Sequence, residues 1–207
     1  MRRVLAISLI YLLLLPAQTR AARPRHLDSI RPLNVGSQGQ CTAWSLNQRL
    51  RLWVTAAHCI VMAVDMDGVV SLEPYAELNI AGTPVTAWQA NLALDLALLQ
   101  ADLSAPALKL GPYPREGHEV TVYGYPGGWQ TPLEVWLRVS NPFVKLYDHY
   151  WMILDGHVWP GHSGSPVLDR KGRVIAVVQA HGTDRYAGMT FVSPWSALKQ
   201  LGEGYWE

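Results

Sequence analysis

From Cys41 onward, short apolar runs alternate with turn-forming residues, a pattern typical of β-strands joined by tight connections. A run that begins at Glu119 and stops at the Gly/Pro turn 124–128 has the same character. The other runs predicted to be strands are Leu50 to Thr55, Val61 to Val64, Val69 to Leu72, Val85 to Leu92, Ala97 to Leu99, Trp136 to Val139, Tyr150 to Leu154, Pro166 to Leu168 and Val174 to Val178.

Two segments interrupt this β pattern. Leu108 to Gly117 is rich in glycine and proline without periodicity, which predicts a linker between two halves. Pro194 to Leu201 is predicted to be a short C-terminal helix with Ser193 as its cap. We therefore predict an all-β fold of paired β-barrels. The predicted boundaries are 41–107 for the first barrel, 108–117 for the linker, 118–193 for the second barrel, 194–201 for the helix and 202–207 for a tail.

The N-terminus has the features of a secretion signal. Arg2 and Arg3 precede the apolar stretch Val4 to Leu15, and small residues follow near Ala22. The apolar stretch is shorter than the ~20 residues that span a bilayer, which disfavours a membrane anchor. We predict a signal peptide at 1–22, an extended arm at 23–40, a secreted or periplasmic location, and no stable membrane insertion after cleavage.

Composition and cysteine content narrow the functional classes. The chain is 49% hydrophobic and 16% charged with a net charge of +1, which favours a packed core and gives no electrostatic support for nucleic-acid binding. Its two cysteines are Cys41 and Cys59. In an exported protein a disulfide between them is favoured over two free thiols.

Three polar residues along the chain are of the types needed to activate a serine hydroxyl. His58 lies in the small-residue segment Thr55 to Cys59, Asp95 interrupts an apolar run, and Ser163 lies in Gly161-His162-Ser163-Gly164-Ser165-Pro166. A nucleophile, a base and a carboxylate that orients the base are the parts such a site needs. Their order, His then Asp then Ser, is that of the chymotrypsin type and differs from the subtilisin and α/β-hydrolase orders.

These motifs resemble those of the trypsin-like serine peptidases of the chymotrypsin fold, in particular their bacterial secreted and HtrA-like branches. The similarity runs from about Cys41 to Leu201, and it also pairs Cys41 with Cys59. The resemblance implies two Greek-key antiparallel β-barrels with the active site in the cleft between them. It also implies a secreted serine endopeptidase that acts on protein or peptide substrates through an acyl-enzyme intermediate. It implies catalytic roles for His58, Asp95 and Ser163, and an oxyanion hole formed by the backbone N–H groups of Gly161 and Ser163.

The resemblance also locates a substrate pocket. The residues expected to line it are His157, Val158, Pro160, Val178, Gln179, Ala180 and His181. Trypsin-like enzymes have an aspartate at the pocket base, where this chain has about His157, so cleavage after Lys or Arg is not expected. We expect an apolar or small residue before the scissile bond. His162 replaces the aspartate that pairs with a new N-terminus in digestive enzymes, so activation by N-terminal insertion is not expected.

No cofactor is expected. His157 and His162 could suggest a metal pair, but no third ligand is evident, and zinc usually takes three or four. Two alternatives to the peptidase remain at this point. One is a catalytically inactive or latent binding protein that keeps the trypsin fold; the other is an esterase-like acyl hydrolase with the same triad.

Overall fold

β-strands dominate the computed structural model, which describes residues 25–66, 69–75, 77–146 and 149–201. Within these residues, two antiparallel barrels close, each with six strands, so the predicted two-barrel architecture is confirmed. The same residues contain no helix that is long and apolar enough to cross a membrane. The predicted signal peptide and the predicted tail lie outside the described residues.

The first half of the chain forms one barrel and a separate hairpin. Around the barrel the strand order is β1-β2-β3-β8-β7-β6, while β4 and β5 form a separate two-stranded sheet. The strands are β1 (Ile30–Val35), β2 (Gly39–Asn47), β3 (Leu52–Thr55), β4 (Val61–Met66), β5 (Val69–Pro74), β6 (Leu78–Ile80), β7 (Thr83–Asn91) and β8 (Leu96–Ala101).

The second half forms the other barrel. Its strands are β9 (Glu119–Gly124), β10 (Leu133–Leu146), β11 (His149–Asp155), β12 (Pro166–Leu168), β13 (Val174–His181) and β14 (Met189–Pro194). They close in the order β10-β11-β14-β13-β12-β9. Short 3₁₀ helices span Arg25–Ser29, Gly36–Gln38, Ala57–Cys59, Pro126–Gly128, Asp184–Tyr186 and Trp195–Leu201. The last of these is the predicted C-terminal helix.

The N-terminal boundary of the first barrel differs from the prediction. The segment expected to be an extended arm contains β1, which pairs with β2 on one side and with β6 on the other. Ile30 and Leu33 are fully buried in this strand. Arg31, Pro32 and Asn34 interrupt the apolar pattern of β1, so local sequence carried little strand signal. Distant pairing partners supply the order that local propensity lacks.

Three apolar clusters hold the fold together. One fills the first barrel around Trp53 and Leu99, and a second fills the second barrel around Met152 and Leu154. The third lies between them, where Trp44 of β2 and Leu198 of the C-terminal helix are both fully buried. Residues from both halves share this third cluster, so the two barrels are packed against each other.

Candidate active site

His58 lies on a tight turn whose flanks are buried. The turn follows β3 and is closed by hydrogen bonds from Cys59 N to Ala56 O (3.2 Å) and from Ile60 N to Ala57 O (2.9 Å). Ala56, Ala57 and Ile60 are fully buried, whereas the His58 side chain is 47% exposed. Small flanking residues therefore anchor the turn in the first barrel and leave the imidazole at the surface.

A disulfide braces the same turn. Cys59 is bonded to Cys41 of β2, with a sequence separation of 18 residues, and this confirms the predicted bridge. For a loop of about this size, the chain-entropy model gives roughly 3 kcal/mol of stabilisation. The bridge ties the His58 turn to the strand that faces the second barrel.

Asp95 lies in the turn between β7 and β8. Its φ of +48° is left-handed, a conformation that aspartate tolerates better than most residues. Leu94 N donates to the Asn91 side chain (3.1 Å) and Asp95 N to Leu92 O (3.2 Å), so local polar groups hold the turn. The turn is also fastened to the second barrel, because Ser193 Oγ donates to Leu94 O at 3.0 Å. Ser193 was predicted to be a helix cap; its hydroxyl joins the barrels instead.

His58 and Asp95 form a two-point contact. Asp95 Oδ2 lies 2.7 Å from His58 Nδ1, and Asp95 Oδ1 accepts a hydrogen bond from the His58 backbone N–H at 2.9 Å. The second bond fixes the carboxylate, so the first one fixes the orientation of the imidazole. With Nδ1 occupied in this way, Nε2 is the nitrogen available to exchange a proton with another group.

Ser163 is presented by a loop that only glycine could shape. Gly161 and Gly164, two residues before and one residue after it, have φ values of +100° and +83°. A Cβ on Gly161 would overlap Tyr125 O, and one on Gly164 would overlap Thr42 O and Thr55 Oγ1. Both glycines therefore permit close approach of backbones as well as a left-handed conformation.

Thr42 of β2 connects this loop to the first barrel. Its backbone N–H donates to Ser163 O (2.9 Å), and its hydroxyl donates to Gly161 O (2.8 Å) and accepts from Tyr125 N (3.0 Å). Thr42 is fully buried. A single side chain thus satisfies two buried backbone groups of the second barrel, next to the serine.

The peptide group between Pro160 and Gly161 has a defined orientation. Pro160 O accepts a hydrogen bond from Gly127 N at 3.0 Å. None of the peptide bonds in the described residues is cis, so the Gly161 N–H points away from that carbonyl. Among the described residues, the backbone N–H groups of Gly161 and Ser163 donate no hydrogen bond.

The Ser163 hydroxyl points to a backbone group of its own barrel. Its Oγ donates to the backbone oxygen of Gln179 at 3.3 Å, a long hydrogen bond. No hydrogen bond joins Ser163 to His58 in the described part of the chain, and His58 Nε2 lies 3.8 Å from Cys59 Sγ. Ser163 and His58 are thus not directly bonded, but both segments are tied to β2, one through Thr42 and the other through the disulfide of Cys59 with Cys41.

His162 is fully buried beneath the nucleophile. Its Nδ1 lies 3.1 Å from Trp159 O and 3.3 Å from Trp159 N, and its Nε2 has no partner among the described residues. Burial lowers the pKa of His162; the backbone contact with Trp159 raises it by a smaller amount, and the charge of His157 lowers it further. The side chain is therefore held neutral inside the fold.

The residues predicted to line the pocket have contrasting exposures. His157, Pro160 and Ala180 are exposed and His181 is half-buried. Gln179 is buried, with both side-chain amide atoms unpartnered among the described residues. Val158 and Val178 are only 2% and 1% exposed, and both pack inside the second barrel.

One group of potential metal ligands lies together in the described residues, namely Cys41, His58 and Cys59. Its two cysteines form the disulfide. A thiolate is the form of cysteine that binds metal, so this group does not fit a metal site. The suspected pair of His157 and His162 has no third ligand beside it among these residues.

Two closed antiparallel barrels, with histidine and aspartate from one and a glycine-bounded serine from the other, define the class of trypsin-like serine peptidases with the chymotrypsin fold. The family model for the trypsin-like peptidase domain matches residues 41–177. The chain belongs to this family, as the motifs predicted.

Individual relatives agree with this assignment. Protease Do-like 2, chloroplastic, from Arabidopsis thaliana is 30% identical over 122 residues, which are 54% of this chain and 20% of that protein. The chain thus spans about a fifth of the length of this curated relative. The Rv3671c protease from M. tuberculosis in its inactive form matches with a TM-score of 0.67 at 20% identity, over 86% of this chain and 90% of that one. The HtrA-type protease AlgW with tripeptide matches with a TM-score of 0.65 at 19% identity, over 88% and 62%.

Sequence reasoning missed the role of Thr42. Its hydroxyl contacts Gly161 across 119 residues, so no local pattern could reveal the contact. The nearest signal was its position directly after Cys41, at the start of the predicted β region.

Proposed function

We propose that this protein is an exported serine endopeptidase with Ser163 as nucleophile, His58 as general base and Asp95 as the residue that orients His58. The contact of 2.7 Å between His58 Nδ1 and Asp95 Oδ2 supports this role most directly. It leaves Nε2 as the proton acceptor. The hydrogen bond from Thr42 N to Ser163 O (2.9 Å) holds the nucleophile loop at the junction between the barrels.

The proposed reaction begins with the Ser163 hydroxyl. Its Oγ leaves Gln179 O and attacks the carbonyl carbon of the scissile bond while its proton passes to His58 Nε2. Asp95 stabilises the imidazolium. The tetrahedral intermediate collapses when His58 gives the proton to the leaving amine, and the acyl group stays on Ser163. Water, deprotonated by His58, then adds to the ester, and the acid is released with Oγ reprotonated.

The backbone N–H groups of Gly161 and Ser163 are proposed to bind the oxyanion of both tetrahedral intermediates. Neither donates a hydrogen bond within the described residues, and the Pro160 carbonyl is turned to Gly127. Donors that are already aligned need no reorganisation as charge develops on the substrate oxygen. The loop is closely packed here, since a Cβ added to Gly161 would overlap Tyr125 O, and this packing supports such alignment.

Export is proposed from the N-terminal signal features at 1–22. The disulfide between Cys41 and Cys59 is in keeping with an oxidising compartment, such as the periplasm or the extracellular space. The proposed substrates are proteins or peptides.

Fluorophosphonate labelling of the purified protein tests this proposal, with Ser163→Ala as the control. Labelling of the parent alone, followed by hydrolysis of peptide amides, supports the peptidase. Labelling with hydrolysis of esters but not of peptides would replace it with the esterase-like hydrolase. A folded parent that remains unlabelled would replace it with the inactive or latent trypsin-fold protein.

A further inference from the structure

Two segments of the second barrel flank the nucleophile and form the walls of the proposed pocket. One wall, 157–161, leads into the Ser163 loop; the other, 178–182, is the end of β13 and the turn after it. They are joined at their base, because Gly164 N donates to Val178 O (2.8 Å) and Ser163 Oγ donates to Gln179 O (3.3 Å). Side chains on these walls are therefore placed to contact a substrate residue that binds next to Ser163.

Each wall carries one imidazole, and the two imidazoles meet. The ring centroids of His157 and His181 lie 5.0 Å apart with an interplanar angle of 68°. The indole of Trp159 contacts the His157 ring from another side, edge-on at 5.4 Å. The histidine pair, His157 and His181, thus joins the two walls with a defined geometry.

The histidine pair has no acidic partner. These two walls contain no Asp or Glu, and their only ionisable side chains are the two histidines. In the described part of the chain, neither histidine forms an ion pair. The nearest acids along the chain are both exposed: Asp155 at the end of β11, and Asp184, which accepts the Thr183 hydroxyl at 3.2 Å.

The surroundings of the histidine pair argue against a basic occupant. A Lys or Arg side chain would find no carboxylate on either wall. Of the apolar wall residues, Val158 and Val178 are turned into the barrel interior with 2% and 1% exposure, and the exposed indole of Trp159 packs edge-on against His157. Imidazole N–H groups are hydrogen-bond donors, and two neighbouring imidazoles suit a group with two acceptor oxygens.

We propose that the histidine pair is a subsite for a carboxylate side chain, so that the enzyme cleaves after glutamate or aspartate. This specificity rests on the proposed peptidase function, and it replaces the expectation of an apolar or small residue at that position. The contact between His157 and His181 carries the inference, since the two residues are 24 positions apart in sequence and local pattern did not pair them.

Peptide binding tests the subsite separately from catalysis. Short acetylated peptides, identical except for a C-terminal Glu or Gln, are titrated into the Ser163→Ala protein in buffer with EDTA. We expect the Glu peptide to bind roughly tenfold to hundredfold more tightly, the range for a hydrogen-bonded charged group. The preference should fall to about twofold or less in His157→Gln/His181→Gln and partly in each single variant, whereas His118→Gln, which changes an exposed histidine outside both walls, should keep it.

The outcomes distinguish the two proposals. Equal affinity for the two peptides, or a Glu preference that persists in the folded double variant, overturns the subsite whatever the labelling result. If fluorophosphonate fails to label the parent while the histidine-dependent Glu preference holds, the peptidase proposal fails and the carboxylate subsite stands. If the parent labels, a fresh unlabelled sample should also have a higher kcat/KM for Glu than for Gln substrates, and the histidine variants should remove this difference.

Discussion

In the first barrel, His58 and Asp95 contact each other at 2.7 Å, and both lie on turns of that barrel, with one added hydrogen bond from Ser193 of the second barrel to the Asp95 turn. In the second barrel, Ser163 lies on a loop whose shape depends on the backbone of the first, through Thr42 and the close approach of Gly164. The base is therefore oriented locally, whereas the nucleophile is oriented by the packing of the barrels. Substitutions that act within one barrel should change the chemistry of the site, and those at the junction should also change stability.

Asp95→Asn should have the largest effect, and it tests the local side of the comparison. Asparagine also tolerates the left-handed φ of +48°, so the turn should keep its shape. An amide at this place favours the wrong imidazole tautomer, and kcat should fall by about 10³–10⁴-fold. Steady-state kinetics with a peptide substrate measure this, and Tm should change little. A large fall in Tm would mean that Asp95 is mainly structural.

Gly161→Ala should come next, because it disturbs the nucleophile loop directly. A Cβ here would overlap Tyr125 O and would strain a φ of +100°. If the Gly161 N–H binds the oxyanion, kcat should fall by about 10²–10³-fold.

The matched control is Gly117→Ala, where φ is also positive (+79°) but no heavy atom lies within 4 Å of the added Cβ. It should lower stability through backbone strain and leave kcat unchanged. Equal kinetic effects of the two substitutions would argue against a specific role for Gly161.

Thr42→Val tests the junction between the barrels. Valine keeps the shape but removes the hydroxyl that donates to Gly161 O and accepts from Tyr125 N, so each of these two backbone groups loses one hydrogen bond. The free energy of unfolding should fall by about 1–3 kcal/mol, and kcat should fall with it because the loop loses its anchor. Urea unfolding and kinetics measure both. Thr42→Ser keeps the hydroxyl and should retain most of the activity. Equal losses of activity and stability in Thr42→Val and Thr42→Ser would show that Thr42 acts through packing and not through its hydroxyl.

His162→Asn should have the smallest effect, and it tests the role of the buried histidine beneath the Ser163 loop. Burial lowers the pKa of His162, so the unfolded chain takes up the proton first as the pH falls below about 6.5. The stability of the parent should therefore decrease between about pH 7 and pH 5. His26, whose pKa is also lowered by burial, gives a slope of the same sign.

Asparagine offers an amide near the position of Nδ1 and does not titrate. The loss of unfolding free energy on acidification should therefore be smaller in His162→Asn than in the parent, as measured by urea titrations at several pH values. An unchanged pH dependence would show that His162 does not contribute to it.

Motif residues and turn residues carried most of what could be predicted. Cys41, Cys59 and the three candidate catalytic residues stand in short segments whose composition is informative by itself, and many strands follow from apolar runs. β1, β2, β6 and β14 were not among the predicted strands, because polar residues interrupt them and their pairing partners lie elsewhere in the chain. Strand formation in such segments depends on cross-strand pairing and burial more than on local propensity.

The amino-acid sequence by itself determined the family, the two-barrel class, the disulfide and the identity of the candidate triad, since each is carried by short segments whose composition is informative without knowledge of tertiary contacts. The tertiary structure alone decided three things. It made Thr42 the link to Gly161 across 119 residues, turned the Ser163 hydroxyl to Gln179 O, and brought His157 and His181 to 5.0 Å. All three are contacts between segments distant in sequence, and such contacts form only when barrel closure and packing bring those segments together.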